Sequence, residues 1–235
     1  LYQLEPEYDV NDSRKAFSSI NQAQQVICFN SYVTEKMLDY ADIILPITPC
    51  SEMAGTMINA FADVNKFSAA KEHFEMSKPG WKVCRVLGNL FGLDTFLYRN
   101  IAELQKEIEK IDMVKGKSLP AKVISWQKKN LPSNILLRIG DVPMYRVDSI
   151  VRRAGSLQKV YTDMEVARLS EQTAQHYALD ESKGLRVVSG GAEHFFDFKI
   201  DNSICFACVY IPGALPETSF IGPRHAYLEL LEEDS

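Results

Sequence analysis

The chain has 235 residues, of which 46% are hydrophobic and 24% are charged. These are ordinary globular proportions, and they exclude a disordered, collagen-like or coiled-coil protein. The 26 basic and 31 acidic side chains give a net charge of −5, so no positive field gathers nucleic acid. No apolar run approaches the roughly 20 residues that direct membrane insertion needs.

The first third of the sequence predicts a βαβ unit. Residues 26–29 are an apolar run of the buried-strand type, and residues 43–45 are a second one. Between them, residues 31–40 have helical spacing, with Ser31 or Thr34 as the N-cap. A short helix between two strands predicts that the strands are parallel and that their crossover is right-handed.

A polar loop, residues 46–67, follows the second strand and is rich in Thr, Ser, Gly and Asn. It lies at the carboxyl end of a parallel strand, where α/β folds bind ligands. Within residues 48–59, polar groups gather at Glu52, Thr56 and Asn59. Two interpretations stay open for them: a binding or general-acid site, which needs an apolar pocket and a matched base, or hydrogen bonding and capping within the loop.

Two helices are predicted after this loop. The first covers residues 77–91 and has Pro79 in its first turn, where proline is well tolerated. The second follows Asn100, because Asn100 and Glu103 have the spacing of a capping box and an apolar stripe comes after them.

The composition changes after residue 112. Residues 113–139 contain no acidic side chain but several basic ones, Arg138 among them, together with Gly and Pro. This pattern predicts a linker on the surface. The predicted organisation is an α/β domain over residues 1–112, a linker over 113–139 and a smaller, mostly β, barrel-like domain over 140–235.

Within the β-rich domain, residues 163–179 are predicted to be helical. Residues 185–188, 193–200 and 204–211 are predicted to be strands, and the glycine pair at 190–191 fits a tight hairpin between the first two.

Cys205 and Cys208 have the CxxC spacing of redox and zinc sites. In a strand, side chains three positions apart point to opposite faces, so we interpret the pair as buried structural cysteines. The four histidines lie in separate segments, and the sequence predicts no metal site and no catalytic residue. Five cysteines, an odd and sparse number, favour a reducing compartment over a disulfide framework.

The first strand-and-loop motif resembles the molybdopterin oxidoreductase superfamily. The residues that carry the resemblance are 41–46 (ADIILP), Glu52, the pair Gly55 and Thr56, and Asn59. The resemblance implies that these four loop residues are the remains of a pterin-binding loop. Many members of the superfamily have Glu-Gly-Arg soon after the Asn, whereas this chain has Phe-Ala-Asp at 61–63. Loss of the glycine and the arginine weakens the contact with a pterin dinucleotide.

Later segments are similar to one branch of that superfamily. Residues 79–90 (PGWKVCRVLGNL), 138–145 and 148–158 resemble the large iron–sulfur subunit of NADH-quinone oxidoreductase, which is respiratory complex I. This branch is thought to keep the fold without molybdenum. The resemblance covers nearly the whole chain and implies the C-terminal part of a parallel-sheet domain followed by a barrel-like domain.

The resemblance implies an indirect function. The chain would be a structural part of a peripheral-arm subunit that passes electrons from NADH through iron–sulfur clusters to quinone, and it would be inactive alone. Because the chain starts at Leu1, in mid-pattern, the clusters are expected in a preceding part, with no cofactor in the chain itself. Its partners would be other peripheral-arm subunits. Its place would be the cytoplasmic face of the bacterial inner membrane, or the matrix side in a mitochondrion.

Two alternatives stay open beside this interpretation. The chain is a fragment of an active molybdopterin oxidoreductase such as formate dehydrogenase, or it is a ligand-binding module that uses the loop at residues 48–59.

Overall fold

The protein is described by a computed structural model over residues 1–59, 61, 63–74, 76–110, 132–160 and 166–231. The described residues form an α/β structure, and the predicted fold class is confirmed. The helices are α1 (Pro6–Asp9), α2 (Ser13–Asn21), α3 (Glu35–Tyr40), α4 (Gly80–Leu90), α5 (Ile101–Ile108), α6 (Ser149–Arg152), α7 (Gly155–Gln158) and α8 (Glu171–His176). The strands are β1 (Ile27–Asn30), β2 (Ile43–Pro46), β3 (Gly55–Ile58), β4 (Val64–Phe67), β5 (Ile135–Ile139), β6 (Ala167–Leu169), β7 (Leu185–Ser189), β8 (Ala192–Phe196), β9 (Phe198–Ile200), β10 (Cys208–Tyr210) and β11 (His225–Leu230).

The chain folds into two compact units, and neither is continuous in sequence. The first contains residues 1–3 and the described residues of 27–110, and the second contains residues 4–26 and the described residues from 132 onward. The predicted division placed residues 4–26 in the first domain. They pack in the second unit instead, because α1 and α2 are tied there by side chains that lie far along the sequence.

Buried ion pairs hold α1 in the second unit. The Arg152 guanidinium lies 2.8 Å from the Asp9 carboxylate and 3.2 Å from the Glu5 carboxylate, and Arg153 lies 2.8 Å from Glu5. The Ser13 hydroxyl, at the start of α2, donates a hydrogen bond to the carbonyl of Ser219. These contacts join positions that no local sequence pattern relates.

The first unit contains the predicted βαβ motif. Strands β1 and β2 are parallel, with Ile27 opposite Ile43, and α3 lies between them in sequence. The Thr34 side chain caps α3 by accepting a hydrogen bond from the backbone N–H of Met37 at 3.0 Å. The prediction of this motif is confirmed, since each step depends on residues close together in the sequence.

Both later helices of the first unit also form, although α4 begins three residues later than predicted, with Pro79 at its N-cap and not in its first turn. Helix α5 begins after Asn100, whose side chain accepts from the N–H of Glu103 at 3.0 Å, while the Glu103 carboxylate accepts from the N–H of Arg99 at 2.8 Å. Helix α4 begins after Pro79 and leaves Leu90 and Phe91 exposed at its end.

The second unit is built on a curled sheet. Its described strands lie in the order β8-β7-β11-β5-β10-β6-β9, with β5–β10 and β6–β9 parallel and the other pairs antiparallel. The two outermost strands, β8 and β9, are separated in the chain by Asp197 alone. The sheet must therefore curl until its edges approach each other, which confirms the barrel-like prediction.

The core of the second unit lies inside this curl. Leu185 and Val187 on β7 are fully buried, whereas Arg186 between them is exposed, as the alternation of a strand requires. The buried apolar cluster comprises Leu136, Ala167, Leu169, Ala174, Leu185, Val187, Phe196, Phe198, Val209, Ile211, Ile221, Leu228 and Leu230.

Four predictions of strand and helix bounds in this unit need correction. The single strand predicted over 193–200 is two strands, β8 and β9, which lie at opposite edges of the sheet. Residues 135–139, assigned to the end of the linker, form β5 at the centre of the sheet; the rest of the predicted linker, up to residue 131, lies outside the described residues. Residues 163–165 of the helix predicted over 163–179 lie outside the described residues, and the remainder contains the strand β6 and the short helix α8, because β6 pairs with distant β9 and Ser170 caps α8. The predicted strand over 204–211 is limited to β10, since a turn precedes Cys208.

Arg138 is the reason that β5 was missed. The sequence places this charge in an apolar run, and its exposed fraction is 0%. Its guanidinium donates to the carbonyls of Ile211 (3.1 Å), Pro212 (3.0 Å), Gly222 (3.1 Å) and Pro223 (3.4 Å). Burial, and next the charge of Arg224, lowers the pKa of Arg138 to about 10, which still leaves the side chain charged at neutral pH.

We predict that Arg138→Leu strongly destabilises the second unit. The substitution leaves buried carbonyls without a donor, and each such group costs about 1–3 kcal/mol, so the free energy of unfolding should fall by about 3 kcal/mol or more. Arg138→Lys should lose less, because an ammonium group keeps the charge but not the planar fork.

Chemical denaturation measures both losses. The matched control is Arg186→Leu on β7 of the same sheet, where an exposed arginine lies 3.7 Å from Glu193 and should contribute less than about 1 kcal/mol. Equal losses for the two leucine variants would contradict the role assigned to Arg138.

Candidate functional site

A cavity of about 430 Å³ lies in the first unit at the carboxyl ends of β1 and β2. The loop at residues 48–59 borders it, as the sequence predicts from the position of the loop after a parallel strand. The cavity is lined by Ser31, Tyr32, Pro46, Ile47, Pro49, Glu52, Lys71, Phe74, Met76 and Ser77. Its size falls within the range of small-molecule sites.

Glu52 is the one predicted site residue that lines this cavity. It lies in a 3₁₀ turn, Cys50–Glu52, and its side chain is 11% exposed. One carboxylate oxygen lies 3.3 Å from the Lys71 ammonium, and the other accepts from the backbone N–H of Phe74 at 3.0 Å. The carboxylate therefore binds the segment at residues 71–74, and these contacts hold that segment against the loop.

Gly55 is required by packing. It begins β3 and lies opposite Phe67 in the β3–β4 hairpin. A Cβ atom at Gly55 would lie 2.6 Å from the Cζ atom of the Phe67 ring. The group that comes close to Gly55 and leaves little room for a side chain there is therefore the Phe67 ring of the same protein.

Thr56 and Asn59 are also engaged within the first unit. The Thr56 hydroxyl accepts from the Gln105 side chain at 3.2 Å. The Asn59 side-chain oxygen accepts from the backbone N–H groups of Phe61 and Asp63, both at 2.9 Å, and its amide donates to the Asp63 carboxylate at 2.9 Å. Asn59 thereby closes the turn between β3 and β4.

The contacts that these four residues make all lie within the first unit. Gly55, Thr56 and Asn59 are absent from the cavity wall, and the hydrogen-bonding groups of Glu52, Thr56 and Asn59 have partners within the chain. Of the two interpretations that the sequence leaves open, the geometry favours hydrogen bonding and capping over a binding or general-acid site.

Thr48 is a polar residue of the loop that sequence reasoning did not single out. Its exposed fraction is 0%, and its hydroxyl has no hydrogen-bond partner among the described residues. Its backbone is fixed by a bond from its N–H to the Lys78 carbonyl at 3.1 Å and one from the Gln3 side chain to its own carbonyl at 3.1 Å. Only its position two residues after the end of β2 could have indicated it.

The second unit has a separate cavity of about 500 Å³, which the sequence does not predict. Its lining residues are Ser133, Asn134, His176, Tyr177, Ala178, Leu179, Asp180, Lys183, Gly184, Arg186, Leu230 and Leu231. The backbone N–H and then the hydroxyl of Ser182 donate to Asp180 and lower the pKa of its carboxyl group. Among the described residues that line this cavity, no nucleophilic side chain donates a hydrogen bond to a side chain that could act as its base.

Within the described residues, no group of three or more His, Cys, Asp and Glu side chains could hold a metal ion. A search of the same residues for a helix long and apolar enough to cross a membrane also finds none.

A known protein family matches the N-terminal part of the chain. The sequence model of the molybdopterin oxidoreductase family matches residues 1–90, so these residues carry a domain of that family. Two similar curated proteins, both named "Putative formate dehydrogenase", come from Staphylococcus aureus strains USA300 and bovine RF122/ET3-1. They are 32% and 31% identical to this chain over 72 residues, which is 31% of the chain. The chain spans only 7% of their length.

A solved structure is similar over most of the chain. Acetylene hydratase from Pelobacter acetylenicus aligns with a TM-score of 0.58 and 15% sequence identity, covering 87% of this chain and 35% of that protein. At this identity, the similarity shows the fold alone.

We predict that Gly55→Ala destabilises the β3–β4 hairpin, since the new methyl group overlaps the Phe67 ring. Overpacking of this kind costs about 1–3 kcal/mol. The double variant Gly55→Ala/Phe67→Leu should recover part of the loss, because the smaller side chain leaves room for the methyl group.

Amide hydrogen exchange at β3 and β4, together with thermal denaturation, measures the effect. Gly155→Ala is the matched control, because a Cβ atom at Gly155 meets no atom within 4 Å. If amide exchange at β3 and β4 and the thermal stability are unchanged in Gly55→Ala, packing does not require the glycine.

Proposed function

We propose that this chain is a structural portion of a molybdopterin-type oxidoreductase, of the formate dehydrogenase kind. The observation that carries the proposal is the family match of residues 1–90, and the two named relatives support the formate dehydrogenase form. The similarity of fold over 87% of the chain extends the support beyond the matched residues.

The role proposed for the chain's own residues is to support a redox centre that other parts of the protein bind. Glu52, Thr56 and Asn59 all make contacts within the first unit, which suits a loop that stabilises the domain. A molybdopterin cofactor would supply the oxidation–reduction chemistry in such an enzyme, and no step of that chemistry is assigned to a residue of this chain.

A second candidate is supported by a different observation. The segments at residues 79–90 and 148–158 resemble the large iron–sulfur subunit of complex I. Helix α4, which lies in the first of these segments, leaves Val86, Leu90 and Phe91 exposed, and such apolar side chains suit packing against another subunit. In this form of the proposal, the partners are other peripheral-arm subunits, iron–sulfur clusters lie elsewhere in the subunit, and the complex lies on the cytoplasmic or matrix side of its membrane.

The two candidates differ in their electron donor and in their metal. The full protein that contains this chain should be purified from its source and tested with formate and with NADH, and its molybdenum and iron should be measured by elemental analysis. Formate-dependent dye reduction with stoichiometric molybdenum is the expected result. NADH-dependent quinone reduction in a larger complex without molybdenum would favour the second candidate, and the absence of both activities from a protein that retains its metals would contradict the proposal.

A further inference from the structure

The CxxC segment lies in a turn that directly precedes β10. The backbone N–H of Cys208 donates to the carbonyl of Cys205 at 3.2 Å, which closes a four-residue turn. Within that turn, Ala207 has a φ of +57°. A positive φ at the third residue alone is the pattern of a type II turn, a position that normally belongs to glycine. The premise of a continuous strand, which put the two side chains on opposite faces, is therefore wrong.

The turn brings the two cysteines within reach of a disulfide. The first and last Cα atoms of a β-turn are less than about 7 Å apart, and disulfides join Cα atoms about 4.4–6.8 Å apart. Burial, and next the charge of the Cys205 thiolate, raises the pKa of the Cys208 thiol. The second cause agrees with the proximity that the turn requires.

The two thiols differ in access. Cys205 is exposed, whereas Cys208 is 9% exposed and begins a strand between β5 and β6. A small disulfide in solution can therefore reach Cys205 and is hindered from reaching Cys208. This is the arrangement of an attacking cysteine and a resolving cysteine.

The turn is held in place from three sides. The backbone N–H of Ala207 donates to the Thr173 hydroxyl at 3.1 Å, and its carbonyl accepts from the N–H of Leu137 at 2.9 Å. The Phe206 ring packs edge-on against His176, with 5.1 Å between the ring centroids. The thiols are thus kept near each other at little further entropic cost, which favours an intramolecular reaction over an intermolecular one.

We propose that Cys205 and Cys208 form a reversible intramolecular disulfide by exchange with a low-molecular-weight disulfide such as glutathione disulfide. The Cys205 thiolate attacks one sulfur of glutathione disulfide, which forms a mixed disulfide and releases one glutathione thiolate. The Cys208 thiol then loses its proton and attacks the Cys205 sulfur, which closes the ring and releases the second glutathione. Two protein thiols are oxidised and one disulfide is reduced to two thiols, so atoms and electrons balance.

The experiment equilibrates the native chain with mixtures of reduced and oxidised glutathione, quenches with acid, alkylates the free thiols and maps the peptides by mass spectrometry. The expected product is a Cys205–Cys208 crosslink, lighter than the reduced protein by two hydrogens, with no glutathione retained on Cys205. In Cys208→Ala, glutathione should stay on Cys205. Its release should be at least about a hundredfold slower than in the unmodified chain, because the intramolecular attack is lost.

Cys205→Ala should leave Cys208 unmodified, and Cys50→Ala, which removes an exposed cysteine of the other unit, should leave the crosslink unchanged. The wild-type result is decisive even if the Cys208 variant folds poorly. Glutathione retained on Cys205 in the native wild-type chain, with Cys208 still free, would overturn the proposal. The same holds if Cys205 and Cys208 remain unreacted while the exposed Cys50 is modified.

Discussion

The second unit depends on the burial of one guanidinium group. Arg138 lies on the central strand β5, and its acceptors are backbone carbonyls of the segments that follow β10 and precede β11. A buried charge is costly unless its donors are satisfied. The fork of the guanidinium meets this requirement by binding at residues 211–212 and 222–223 at once, and it therefore joins the ends of three adjacent strands. Both segments reach the same side chain because β10 runs parallel to β5 and β11 runs antiparallel to it, which places the end of β10 and the start of β11 at the same edge.

Arg138 also shows which parts of the fold could not be predicted from the sequence. The βαβ unit and the capping of α5 could be predicted, because Thr34 and Asn100 each accept a hydrogen bond from a residue three positions away. The strand β5 could not be predicted in this way, since Arg138 breaks its apolar pattern and its partners lie 73 to 85 positions along the chain. The turn at Ala207 has no sequence signal either, because alanine rarely adopts a positive φ.

The candidate site was also predictable only in part. Its place was predictable, because a loop after a parallel strand lies at the carboxyl edge of the sheet, and a cavity is found there. The roles of its residues could not be predicted. Gly55 packs against Phe67, Thr56 accepts a hydrogen bond from Gln105, and Glu52 forms an ion pair with Lys71. Each of these partners belongs to a segment whose position follows from the tertiary fold. A motif that resembles a cofactor loop can thus persist for structural reasons.

The family match and the fold similarity cover different parts of the chain. The family match ends at residue 90, whereas the fold similarity covers 87% of the chain at 15% identity. A curled sheet mainly needs alternation, as in Leu185, Arg186 and Val187, and many sequences satisfy that pattern. The hairpin of the first unit needs particular residues instead, because only glycine fits against Phe67 and the Asn59 side chain binds two backbone N–H groups at once. The packing of the β3–β4 hairpin therefore depends on the identity of single residues, whereas that of the curled sheet depends mainly on alternation.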